Sequence, residues 1–256
     1  MRNRCEGNRA AAWLGRLCVV ACLVLAGRAQ AADAVDAKAI QVPPAENYRS
    51  EQLEGWTCQI SPRLFEAEHK GLREQTLRLL GNQLYSIKLL VQAERLVELQ
   101  ETPIWIDYES PLSALQYHPS DTWLRDHGHH WQMAKSIHIP NVRYFLSPRH
   151  TNEQPWAIMH ELAHAYHHNQ LGFENEKIKA AFDRASERGL YESVLHVRGD
   201  NRRHYALTNH KEFFAEMSEA YFGTNDFFPF VRGELKRHDP ATFELLQTIW
   251  GELPRK

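Results

Sequence analysis

The chain has 256 residues, 43% hydrophobic and 24% charged, with 13 glycines, 12 prolines and a formal charge of −2. This composition excludes a disordered, collagenous or low-complexity chain, and the length allows a sizeable single core. The mild acidity argues against nucleic acid as the main partner.

Residues 1–31 have the layout of a secretory signal peptide: Arg2, Arg4, Arg9 and Arg16, the apolar run "LCVVACLVLAG", then "AQA" before Ala32. The run is too short for an ordinary transmembrane helix. The lipobox-like "VVAC" ending at Cys22 leaves almost no apolar stretch after Arg16. Cleavage after Ala31 is expected, with export to the periplasm or the extracellular medium and no stable membrane insertion afterwards. The remaining chain carries 25 basic and 31 acidic side chains, a formal charge of −6. Cys5, Cys18 and Cys22 leave with the signal, so Cys58 stands alone and no internal disulfide framework is expected.

The polar stretch 32–55, with Pro43–Pro44 and no apolar periodicity, predicts an extended leader over 32–60, followed by one domain over 61–256. Between Pro62 and Leu99 the spacing of Leu77, Leu80, Leu84 and Ile87 predicts packed scaffold helices. "TPIWIDY" (102–108) alternates as a strand does, and "SIHIP" with "NVRYFL" (136–146) reads as one or two more. "RDHGHHW" (125–131) offers Asp126, His127, His129 and His130, but its glycine-broken spacing matches no zinc pattern and reads as a polar loop.

"AIMHELAHAYHHNQ" (157–170) should be helical, with Asn152 capping its start, Pro155 in the first turn, and Met159, Leu162, Ala163 and Tyr166 as its apolar stripe. His160 and His164 then stand one turn apart, about 40° round and about 6 Å along the axis, so both imidazoles can reach one ion. With Glu161 between them this is the H-E-x-x-H arrangement, in which two histidines bind Zn2+ and the glutamate is general base for the metal-bound water. His167 and His168 are too far along the axis to join them and read as a solvated helix end.

A catalytic zinc needs a third protein ligand. "YALTNHKEFFAEMSEAYFG" (205–223) predicts a helix with Asn209 at its cap, Gly223 at its end, and Phe213, Met217, Ala220 and Tyr221 as its stripe. Glu212 and Glu216 share a face, and either carboxylate could complete the site. Glu212 also falls where a capping box would use a glutamate. The following "GTNDFFPF" (223–230) reads as a helix stop and an aromatic plug, and "DPATFELLQTIWG" as a last helix docking by Phe243, Leu246 and Ile249.

"HELAH", followed 41 residues after His164 by "Y-x6-E-F-F-A-E", resembles the catalytic domain of anthrax lethal factor and the related Pro-Pro endopeptidases, zinc metallopeptidases of zincin fold. The resemblance covers roughly residues 135–230. It implies an α+β, zincin-like domain with a small sheet before the HExxH helix and a mainly helical C-terminal lobe. It implies Glu212 as third zinc ligand, Tyr205 as the oxyanion-stabilising hydroxyl and Glu216 as a residue orienting a ligand from behind. It also implies a peptide or protein substrate, with "SIHIPNVRYFL" as candidate cleft edge for added-strand binding. The glycine and third histidine of metzincins are replaced by His167 and Gln170, and no translocation or receptor-binding module is expected beside the domain. Two other readings accommodate the motifs: a catalytically silent secreted binding protein on the same fold, and a zinc hydrolase of a non-peptide amide.

Overall fold

The computed structural model describes residues 42–112 and 114–254. The expected signal peptide and the first part of the leader lie outside the described residues. The rest of that expected leader is not extended coil. Arg49–Leu53 (β1) and Trp56–Ile60 (β2) form an antiparallel hairpin whose turn places Glu54 and Gly55 at φ 53° and 100°. β2 alternates, burying Trp56, Cys58 and Ile60, whereas β1 is an edge strand exposed along most of its length. An edge strand facing water on both sides needs no apolar alternation, which is why "RSEQL" reads as leader.

The helices Lys70–Leu90 (α1) and Ala93–Gln100 (α2) follow as expected, then strand Ile104–Ile106 (β3). Gln116–His118 (β4) and Ser136–Ile139 (β5) flank the short helix Asp121–Asp126 (α3). The five strands make one mixed sheet in the order β1-β2-β3-β5-β4, parallel across β2, β3 and β5 and antiparallel at both edges. "NVRYFL" is not a strand. Asn141 Oδ1 accepts from Tyr144 N at 3.0 Å and starts the one-turn helix Val142–Phe145 (α4), a local cap that overrides β-rich side chains.

The remainder is mainly helical: Pro148–Glu153 (α5), Ala157–Tyr166 (α6), Glu176–Glu187 (α7), a small hairpin of Val194–Leu195 (β6) and Asn201–Arg202 (β7), then His210–Phe222 (α8), Arg232–His238 (α9) and Pro240–Trp250 (α10). A π turn, His167–Leu171, extends α6. One sheet face, with Ile104, Ile106, Tyr117, Ile137 and Ile139, joins Leu80, Leu84 and Ile87 of α1 and Ile158 and Leu162 of α6 in the main core. Phe243 and Leu246 of α10 are buried there as expected, with Ile249 packed beside them. No helix among the described residues is long and apolar enough to cross a membrane.

The opposite sheet face packs Trp105 against Tyr48, Leu124 and Met133. A buried polar chain runs beside it: Tyr48 Oη and His138 Nε2 (2.8 Å) both donate to Asp107, and His118 Nε2 stands 3.4 Å from His138 Nδ1. Burial and then the neighbouring His138 push the His118 pKa down to about 3. The folded chain thus refuses a proton that the unfolded chain accepts, so this contribution to stability is full above about pH 6.5 and drains as pH falls towards 3. Relative to His118→Gln, wild type is expected to lose about 2 kcal/mol between pH 8 and pH 5. Urea unfolding of both proteins at the two pH values checks this; parallel losses would remove His118 from the account.

Candidate metal centre

The site lies where α6 packs on α8. Every residue of α6 except His164 is buried, as is α8 from Phe213 to Phe222. The start of α6 differs from expectation: Trp156 precedes it without a side-chain cap, and Asn152 belongs to α5. The α8 cap is as expected, Asn209 Oδ1 accepting from Lys211 N at 2.9 Å and Glu212 N at 3.0 Å. At its other end a Cβ on Gly223 would stand 1.9 Å from Trp156 Cε2, so only glycine lets the end of α8 meet the start of α6.

This packing brings His160, His164 and Glu212 together. His160 Nε2 lies 3.1 Å from His164 Nε2 and 3.2 Å from Glu212 Oε2, and Glu212 Oε2 lies 3.3 Å from His164 Nε2. Four ligands around zinc at about 2.0–2.1 Å have neighbouring atoms about 3.3–3.4 Å apart, so the donors already stand at the separations of a tetrahedral shell. They form a group that could hold a metal ion. With its amide capped by Asn209, the Glu212 carboxylate is turned to the histidines. Burial works to raise its pKa, but hydrogen bonds and charge from His160 and His164 hold it well below the usual carboxylate range.

Behind His160 the structure differs from the expectation for Glu216. Glu219 Oε1 accepts from His160 Nδ1 at 2.7 Å, whereas Glu216 Oε1 is 3.5 Å from that nitrogen. Glu216 is engaged elsewhere: Asn225 Nδ2 donates to its Oε2 at 2.7 Å and to its backbone oxygen at 3.0 Å. Burial raises the pKa of both carboxyls, and the charge of Glu219 adds to the rise at Glu216. The signal for Glu219 was available in sequence, since Glu212, Glu216 and Glu219 repeat at i, i+4 and i+7 on one helix face.

The opening before the three donors is a cavity of about 700 Å³ lined by Glu161, Tyr205, His150 and residues of β4. Glu161 is buried, and its Oε2 accepts from the backbone N–H of Tyr117 at 2.7 Å. Burial raises its pKa although His160 and His164 oppose the rise. Tyr205 is half exposed, at 49%, with its hydroxyl pKa raised by burial and then by Glu212. His150, not singled out in sequence, is a buried imidazole whose two nitrogens have no hydrogen-bond partner among the described residues.

Comparison with protein-family models, with curated proteins and with solved structures finds no match. What the site can do follows from its donors.

Other sequence expectations fall differently. His167 is fully buried between Phe173, His210 and Phe214, not solvated, and burial lowers its pKa to about 3. Asp126, His127, His129 and His130 enter no metal-holding group among the described residues. His127 stacks on Trp123 with centroids 4.2 Å apart, and His130 Nε2 bonds Pro43 O at 2.7 Å. The strand expected at the cleft edge, β5, is interior; the edge strand on that side of the sheet is β4.

Proposed function

We propose that the chain is a zinc-dependent metallopeptidase in which His160, His164 and Glu212 hold the ion. The observation that carries this reading is the convergence of two imidazoles and one carboxylate at 3.1–3.3 Å, with Glu161 beside them on the same cavity. Two nitrogens and one carboxylate oxygen suit zinc and leave a fourth position open. The paired motifs "HELAH" and "Y-x6-EFFAE" support it by their resemblance to the lethal factor and Pro-Pro endopeptidase domains. When bound, zinc supplies Lewis acidity, polarising a substrate carbonyl and lowering the pKa of a water.

The chain's own residues do the rest. Glu161 takes the proton of the attacking water and delivers it to the leaving amine, a task suited to a carboxylate whose pKa burial has raised. The Tyr205 hydroxyl, which stays protonated, donates to the developing oxyanion. Residues 1–31 direct export, so the enzyme works in the periplasm or beyond on peptide or protein substrates.

A peptide library exposed to zinc-loaded protein is expected to be cleaved, with cleavage abolished by a chelator and restored by zinc. Tyr205→Phe is expected to slow cleavage by about 10²-fold without loss of metal. An uncleaved library, with zinc bound, would count against peptidase activity.

A further inference from the structure

We propose that Tyr117 and His168 form a clamp that positions Glu161, making both of them positioning residues for the general base. Its kinetic consequence rests on the peptidase reading; the clamp itself does not.

Among the described residues, the only hydrogen bond reaching the Glu161 carboxylate comes from the Tyr117 backbone N–H, at 2.7 Å. That amide belongs to β4, a strand of three residues paired on one side only. So short an edge strand holds an amide in place poorly unless something else fixes it. The Tyr117 ring supplies the second attachment. Its hydroxyl lies 2.8 Å from His168 Nδ1 and 3.5 Å from its more distant acceptor, Asn169 Oδ1, while the His168 ring stacks on Phe173 with centroids 4.6 Å apart and an interplanar angle of 18°.

His168 comes from the π turn that follows α6. Such a turn widens the helix by one residue and is found disproportionately at functional sites. Glu161 and His168 are seven residues apart, about 10 Å along the axis, so β4 is tied to the α6 segment at two well-separated points. Two such points fix the strand's angle as well as its distance. Tyr117 is also buried, where phenylalanine would serve if packing were its whole role. As donor, its hydroxyl needs His168 neutral at Nδ1, and burial of His168, with Lys135 and Lys211 nearby, favours the neutral ring.

The test compares wild type with Tyr117→Phe, His168→Leu and His168→Asn, whose Oδ1 can replace Nδ1 as acceptor. Three quantities are read on the zinc-loaded protein: zinc affinity, exchange of the Tyr117 amide, and kcat with KM on a cleaved peptide. In Tyr117→Phe and His168→Leu, amide exchange is expected to quicken and kcat to fall, each by about tenfold, with KM and zinc affinity little changed. His168→Asn should recover most of both losses. Unchanged exchange in Tyr117→Phe and His168→Leu overturns the clamp, as does a loss of activity that only tracks loss of folded, zinc-bound protein. If wild type cleaves no peptide, the peptidase reading fails, and amide exchange still decides whether the clamp exists.

Discussion

Glu161→Gln is expected to keep one zinc per chain and to lose turnover by about 10²–10⁴-fold, the range that a positioned general base contributes. Glutamine has the same shape and can still accept the Tyr117 N–H through its oxygen, so the packing of α6 against β4 should survive. It cannot take up a proton. Glu161 is not among the three converging donors, so metal content should not follow activity. Matched assays of zinc stoichiometry and peptide turnover separate the two roles. Retained turnover would remove Glu161 from the mechanism, and loss of zinc with turnover would make it a structural partner of the site.

Glu219→Ala is expected to weaken zinc binding by about 10–100-fold, and Glu216→Gln far less. The His160 imidazole must present an unprotonated Nε2 to the ion, which requires its proton on Nδ1. Glu219 Oε1, 2.7 Å from Nδ1, holds that proton in place and makes the ring a stronger donor. Glu216 is farther from Nδ1 and already accepts from Asn225, so losing its charge leaves the His160 bond standing. Glu219→Gln should fall between, because its amide oxygen still accepts but carries no charge. Competition of each variant with a chromogenic chelator gives the affinities. Equal weakening in Glu216→Gln and Glu219→Ala would mean that the two carboxylates act on His160 as a unit.

The parts of this site that sequence made legible are those set by helical period and local capping. His160, Glu161 and His164 share one turn, and Asn209 fixes where α8 begins; that period left Glu212 and Glu216 both open as third ligand, and only the resemblance to the lethal factor domain pointed to Glu212. The choice of Glu219 over Glu216 behind His160 depends on how α6 crosses α8, which no local pattern encodes. His167 keeps its α-helical place, its N–H bonded to Ala163 O, and is buried because Phe173, His210 and Phe214 close over it, contacts that no local pattern encodes. β1 and β4 were missed for opposite reasons. β1 is polar because it lies at an exposed edge, and β4 is three residues long, too short to show a period. "VRYF" carries strand-favouring side chains, yet the cap at Asn141 turns it into a helix.

The proposed enzyme stands or falls on whether His160, His164 and Glu212 hold one zinc ion. Mass-spectrometric metal analysis of purified wild type beside Glu212→Ala and Glu216→Ala tests it most directly. One zinc per chain is expected in wild type, lost in Glu212→Ala and largely kept in Glu216→Ala. Wild-type protein without zinc, even after reconstitution, would contradict it and leave "HELAH" as a polar helix face of a binding protein.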